Sequence, residues 1–306
     1  MIALVLATVL AAALAWRVAW RMYVERSVRA RLPVGPDGIV PGAAPIELRA
    51  PASVGAVLLL HGFGDTPQSL AELAHALHGR GFNVSVPLLP GHGRTLRDFR
   101  ASNEAQWVAE ARRALEELRA HHDSVGVVGL SMGGALAVLL ATDSNDLPAL
   151  VLLSPYLEPP LSVRLLAKTA YVAGAILPYL YGRNPRSIHD PAARAATLVY
   201  GAATPSSVGE LVRLADRARE RLPRVQAPTL YMQSREDYRV PVGAAERAFA
   251  ALGASKKKLQ WLTGCGHVIT VDYGRENVAE LVADWMEEHV DRKRVAGARS
   301  QGERVG

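Results

Sequence analysis

The segment Ser124-Val125-Gly126-Val127-Val128, then Gly129-Leu130-Ser131-Met132-Gly133, then Ala135-Leu136-Ala137-Val138-Leu139-Leu140, leaves little freedom in how this chain can fold. An apolar run of strand length, a serine between two glycines and an apolar run of helix character make a strand–turn–helix unit. The turn must be tight, and the glycines remove Cβ atoms that would otherwise clash there. Strain in such a turn pushes the serine hydroxyl into a cleft, where a nucleophile belongs. The five-residue pattern alone occurs often by chance. Its strand and helix give it weight.

From Ser53 onward the chain keeps the same rhythm. Val54 to Leu60 reads as a buried strand, Pro67 to Arg80 as a helix, Asn83 to Pro87 as a strand and Asn103 to His121 as an amphipathic helix. After the serine unit come strands at Leu150–Leu153, Pro228–Met232 and Lys258–Leu262, with helices over Val242–Leu252 and Glu276–His289. Strands alternating with helices predict a mainly parallel sheet covered by helices on both faces, an α/β fold. Ligands bind such sheets at the carboxyl ends of the strands, where Ser131 falls. The rhythm breaks between Pro155 and Pro223. There, helix-like stretches at Leu161–Tyr181 and Val208–Leu222 flank a segment rich in Pro, Gly and Asn, and an insertion at this point predicts a small helical cap over the active edge. Its apolar first stretch suits a lid on the core, a lid lining an acyl pocket, or a lid dipping into a bilayer.

The ends of the chain differ from its body. Ile2 to Trp16 carries no charge, and the run resumes after Arg17 with Val18-Ala19-Trp20. A span takes about 20 apolar residues, so Arg17 must snorkel and Trp16, Trp20 and Tyr23 sit at the interface. Ala13-Leu14-Ala15 allows the competing reading of a cleaved signal peptide, but no basic residue precedes the apolar run. A retained single-pass anchor is expected over 1–20, with a basic juxtamembrane segment and linker over 21–50. The positive-inside rule then puts the body in the cytoplasm. The formal charge of +6 suggests nucleic acid only until it is divided. Residues 17–31 hold five Arg against one Glu, and residues 291–306 hold five basic against two acidic residues, so the flanks carry +7 and the body −1. A near-neutral body offers no nucleic-acid groove. The single Cys265 excludes an intramolecular disulfide, and no zinc-type Cys/His spacing occurs. The remaining divisions are core over 51–154, cap over 155–223, core over 224–292 and a disordered basic tail over 293–306.

A serine nucleophile needs a base, and the base needs an orienting carboxylate. Asp237 follows the strand at 228–232 and His267 follows the strand ending at Leu262, which gives the chain order Ser, Asp, His and places all three on one sheet edge. His267 would take the serine proton and return it to the leaving group, and Asp237 would fix the imidazole tautomer. Glu236 is a rival for the acid. The oxyanion would be held by the backbone N–H groups of Phe63, in the loop His61-Gly62-Phe63-Gly64, and of Met132. His61 and His92 read as structural braces of tight loops. His75, His78, His121, His122 and His289 read as residues of solvated helix faces or ends.

With these residues in place the chain resembles the α/β-hydrolase superfamily, in its carboxylesterase and monoacylglycerol lipase group of serine hydrolases. The resemblance rests on His61-Gly62-Phe63-Gly64, Gly91-His92-Gly93, Gly129 to Gly134, Asp237 with Val240-Pro241, and Gly266-His267-Val268-Ile269-Thr270, and it spans roughly residues 54–290. It implies ester hydrolysis through an acyl-serine, with no cofactor and no metal, under a small helical cap. The expected substrates are lipophilic carboxylic esters, monoacylglycerol or short- to medium-chain acyl esters, met at a membrane surface. Rival readings are a thioesterase, a C–C bond hydrolase or an acyltransferase on the same scaffold, a peptidase, and an inert membrane-bound binding module.

Overall fold

The computed structural model describes residues 1–144, 146–182 and 184–290; the basic tail expected over 293–306 lies outside them. A long helix α1 (Ile2–Arg31) precedes a short strand β1 (Ile46–Leu48). Then follow β2 (Gly55–Leu60), α2 (Ala71–Gly79), β3 (Phe82–Val86), α3 (Leu96–Ala101), α4 (Glu104–Arg119), β4 (Val125–Leu130), α5 (Met132–Asp143) and β5 (Leu150–Leu153). An insertion holds α6 (Leu161–Lys168), α7 (Ala170–Ile176), β6 (Leu180–Tyr181), α8 (Pro191–Ala196), β7 (Ala202–Ala203) and α9 (Pro205–Arg221). The alternation resumes with β8 (Thr229–Ser234), α10 (Val242–Ala251), β9 (Lys257–Leu262) and α11 (Arg275–Val290).

Seven strands form one sheet in the order β1-β3-β2-β4-β5-β8-β9, parallel except for β1, which pairs antiparallel with β3. The central strands β2, β4, β5 and β8 are buried along their whole length. That requires cover on both faces, which is why they read as continuous apolar runs. One face packs α4, α5, α9 and α10, with Trp107, Leu136 and Tyr231 in that layer. The other packs α2 and α11, with Leu73, Val282 and Met286. The helices start where their sequences say: Asn103 caps α4 in a reciprocal box with Gln106, and Thr204 does the same for α9 with Ser207, with Pro205 next.

The stretch from Pro67 begins as a single 3₁₀ turn (Pro67–Leu70) before α2. The run expected as one helix over Leu161–Tyr181 breaks at Thr169, which ends α6 and begins α7, and its last residues form the ribbon β6. β6 pairs antiparallel with β7. The last helix of the insertion, α9, packs along α5, and Leu214, Ala215 and Ala218 belong to the main core layer. At the amino terminus the helix does not stop at residue 20. It runs unbroken to Arg31, and Val24 and Val28 are buried with Phe99, Tyr179 and Tyr200 in a third cluster. The apolar window near its start has a mean hydropathy of 2.2 and none of it is buried in the protein.

Candidate active site

β2, β4, β8 and β9 run parallel, so the loops that follow them gather at one sheet edge. Ser131 stands between β4 and α5 with φ 55° and ψ −112°, a left-handed backbone rare for a side chain. The crossing behind it is very close. A Cβ on Gly133 would lie 2.0 Å from the Leu60 carbonyl oxygen, so only glycine lets α5 pass that near β2.

The Ser131 hydroxyl lies 2.8 Å from His267 Nε2 and donates to it. On the far side of the ring Nδ1–H donates to Asp237 Oδ2 over 2.7 Å. The carboxylate is itself held: Gln233 Nε2 donates to Oδ2 (2.8 Å), and the amides of Arg239 (2.8 Å) and Val240 (3.1 Å) donate to Oδ1. Burial pushes the Asp237 carboxyl up, but the facing imidazole and these donors outweigh it and hold the acid below its ordinary range. Glu236 is exposed and turned away, accepting from the Gly264 amide at 2.6 Å, so the rival acid does not reach the ring.

The loop after β2 runs beside the serine; a Cβ on Gly62 would lie 3.6 Å from Ser131 Cβ. Phe63 follows in that loop. Met132 is the first residue of α5, where a helix leaves N–H groups without internal partners. Both expected oxyanion donors therefore border the serine. His61 is buried, its Nε2 accepts from the Leu89 amide (3.1 Å), and its Nδ1–H donates to the Gly62 carbonyl (3.0 Å). Burial lowers its pKa to about 4, so the ring is a neutral brace. His92 is buried edge-on to it, with ring centroids 5.1 Å apart. His289, expected on a solvated face, instead stacks on Trp285 at 4.3 Å.

Two buried acids escape a motif-based reading. Asp65 lines the cleft, accepts from Ser69 Oγ at 2.6 Å, and is pushed up to about 6 by burial. Asp272 is buried and accepts four backbone amides: Gly266 (2.7 Å), His189 (2.7 Å), Asp190 (2.9 Å) and Tyr273 (2.9 Å). Burial pushes its pKa up, but the four donors win and hold it low. It ties the His267 loop to the insertion. Gly266 makes that contact possible, since a Cβ there would meet the Arg186 carbonyl oxygen at 2.5 Å. The only signal for Asp272 is its place five residues after His267, which no local pattern singles out.

A cavity of about 460 Å³ opens beside Ser131 and His267. The insertion supplies most of its wall, through residues such as Val163, Leu166, Leu180, Ala202, Val208 and Leu211. Among the described residues no group of three or more His, Cys, Asp or Glu side chains is placed to hold a metal ion. A hydroxyl, an imidazole and a buried carboxylate in series, beside backbone amides and an apolar cavity, can carry acyl transfer through serine.

Residues 51–273 match the family model described as serine aminopeptidase, S33, and the chain belongs to this family of α/β hydrolases. A thermostable monoacylglycerol lipase from Bacillus sp. (strain H-257) is 29% identical over 233 residues, which is 76% of this chain and 90% of that one. A carboxylesterase from Bacillus subtilis (strain 168) is 23% identical over 233 residues, covering 76% of this chain and 92% of its own length. A solved structure from work on LipS and LipT, two metagenome-derived lipolytic enzymes, superposes with a TM-score of 0.75 at 30% identity. It covers 82% of this chain and all (100%) of that one.

Proposed function

We propose that this protein is a carboxylic ester hydrolase that works through an acyl-serine, acts on lipophilic esters and is tethered to a membrane by α1. The observation that carries the reading is the relay Ser131–His267–Asp237, with links of 2.8 and 2.7 Å. Ser131 Oγ attacks the ester carbonyl carbon as His267 Nε2 takes its proton. The charge that develops on the carbonyl oxygen is met by the amides of Phe63 and Met132, worth about 3 to 4 kcal/mol each in such sites. The imidazolium, steadied by Asp237, returns the proton to the departing alcohol, and water repeats the sequence on the acyl-serine. Residues 155–223 act as the cap, whose apolar wall sizes the acyl chain.

The lipophilic preference draws on three supports. The cavity wall is largely apolar, two relatives are a monoacylglycerol lipase and a carboxylesterase, and α1 carries an uncharged run at its start. The five arginines over 17–31 follow that run, so the positive-inside rule puts the catalytic body on the cytoplasmic side. The test is hydrolysis of p-nitrophenyl esters of increasing acyl length by the full chain in vesicles, beside Ser131→Ala. Turnover that peaks at a medium chain and vanishes in the variant is expected. A folded parent that neither turns over esters nor reacts with a fluorophosphonate would end the proposal.

A further inference from the structure

Each strand of the ribbon β6–β7 is only two residues long, and a two-stranded ribbon that short does not hold itself in water. Yet it forms cavity wall: Leu180, Tyr181, Val199, Gly201 and Ala203 all line the space beside Ser131. Its position must be fixed from outside. Tyr179 and Tyr200 alternate with these lining residues along the chain and are buried instead with Val24 and Val28 of α1.

The two strands are held differently. The approach to β7 is bonded to the catalytic body: the Tyr200 amide donates to the Gly64 carbonyl at 2.9 Å. The Tyr200 hydroxyl accepts from the Arg94 amide at 2.8 Å and donates to the Gly91 carbonyl at 3.0 Å. β6 leans on α1. Trp20 Nε1 donates to the Tyr179 carbonyl at 3.0 Å, Tyr179 donates its hydroxyl proton to Glu25 at 3.0 Å, and the Tyr181 ring stands edge-on to Tyr23 at 6.1 Å. Arg31, at the end of the helix, donates to the Val199 carbonyl at 2.8 Å. α1 therefore supports both strands, although none of its own residues lines the cavity.

We propose that residues 20–31 of α1 are a specificity element: they brace β6 and so set the width of the cavity that receives the acyl chain. Such bracing presupposes the acyl-serine chemistry proposed above but is independent of where the apolar start of α1 resides. A wall held in place binds a chain that fills the space beside it, and a wall free to shift must first be ordered, which costs affinity. Binding lost equally from ground and transition state appears in KM rather than kcat. Trp20, Glu25 and Tyr179 are thus positioning residues that act through the ribbon, and the serine relay should not register their loss.

The test uses the full chain in detergent micelles, with p-nitrophenyl acetate and p-nitrophenyl esters of longer acyl chains, and reads kcat and KM separately. Trp20→Ala with Tyr179→Phe removes both hydrogen bonds between α1 and Tyr179 and leaves the Tyr200 bonds to the body in place. On the longest ester that the parent hydrolyses, KM should rise about tenfold while kcat holds. Acetate is too short to span the cavity, so its constants, and the rate of labelling by a fluorophosphonate, should match the parent's. Tyr179→Phe alone deletes one hydroxyl and keeps the ring in its cluster. It should move KM the same way by about threefold, and it stands in for the pair if that does not fold. Met22→Ala, exposed on the same helix, should change nothing. A parent that hydrolyses no ester overturns the esterase reading and the brace with it. With an active parent, an unchanged KM on the long ester overturns the brace alone. So does a loss of kcat that is equal on acetate and on longer esters, since α1 would then support only the fold.

Discussion

Ser131 occupies a backbone conformation that costs energy and contributes nothing to packing: a side chain at φ 55° where glycine would be relaxed. Two substitutions separate the chemistry from the strain. Ser131→Ala is expected to cut kcat by about 10⁴-fold or more without raising the melting temperature. Ser131→Gly is expected to lose as much activity while gaining about 1 kcal/mol, because it keeps the fold and drops the strain. Equal thermal melts for the two variants would count against strain at this position. Asp65 gives a pH signature. Its folded pKa of about 6 lies above the ordinary carboxylate value, so what it adds to stability is complete below pH 4 and is lost as pH rises through 6. The stability difference, parent minus Asp65→Asn, should therefore fall by on the order of 2 to 3 kcal/mol between pH 4 and 7. A flat difference in urea melts across that range would refute it. The residues that meet around Ser131 were legible because their chemistry demands rare types after strand ends. Asp65, Asp272 and Gln233 were not, since a buried acid or amide is revealed only by the amides that the fold brings to it.

At the scale of elements, the long buried strands and α4 were readable within about two residues, because β2, β4, β5 and β8 carry unbroken apolar runs, whereas α9 begins three residues before the expected Val208. The short pieces were not. β1, α3, β6 and β7 are too brief for periodicity, and tertiary partners decide them: β1 exists because the edge of β3 pairs with it. The break at Thr169 and the continuation of α1 to Arg31 have the same origin, packing that no single segment encodes. Glycines give the matching prediction. Gly133→Ala drives a Cβ against the Leu60 backbone of β2, which cannot yield, and is expected to cost more than about 3 kcal/mol or prevent folding. Gly174→Ala in α7 meets nothing within 4 Å and is expected to stabilise by roughly 0.5 to 1 kcal/mol. Denaturant midpoints of the two variants, moving in opposite directions, would check this.

For the whole molecule, a truncation series divides the docking of α1 on the body from the tether proposed for its apolar run. Removing residues 2–16 takes away only surface that the protein does not bury, so the melting temperature should hold while vesicle flotation is lost. Removing residues 1–31 also strips Val24 and Val28 from the cluster with Phe99, Tyr179 and Tyr200. Each buried aliphatic side chain lost this way costs roughly 1.5 to 3 kcal/mol, so this form should melt well below the shorter truncation. Matching melts for the two would mean that α1 ends functionally near residue 17. Sequence alone could mark the apolar run but not this division, since the valines that dock are spaced like any helix stripe.

Because α1 passes from its apolar run into the body without a hinge, Ser131 stands at a fixed height above whatever surface holds the helix. An enzyme so mounted searches in two dimensions. Its rate would follow the mole fraction of ester among the surrounding lipids rather than the bulk concentration, and inert lipid would slow it by dilution alone.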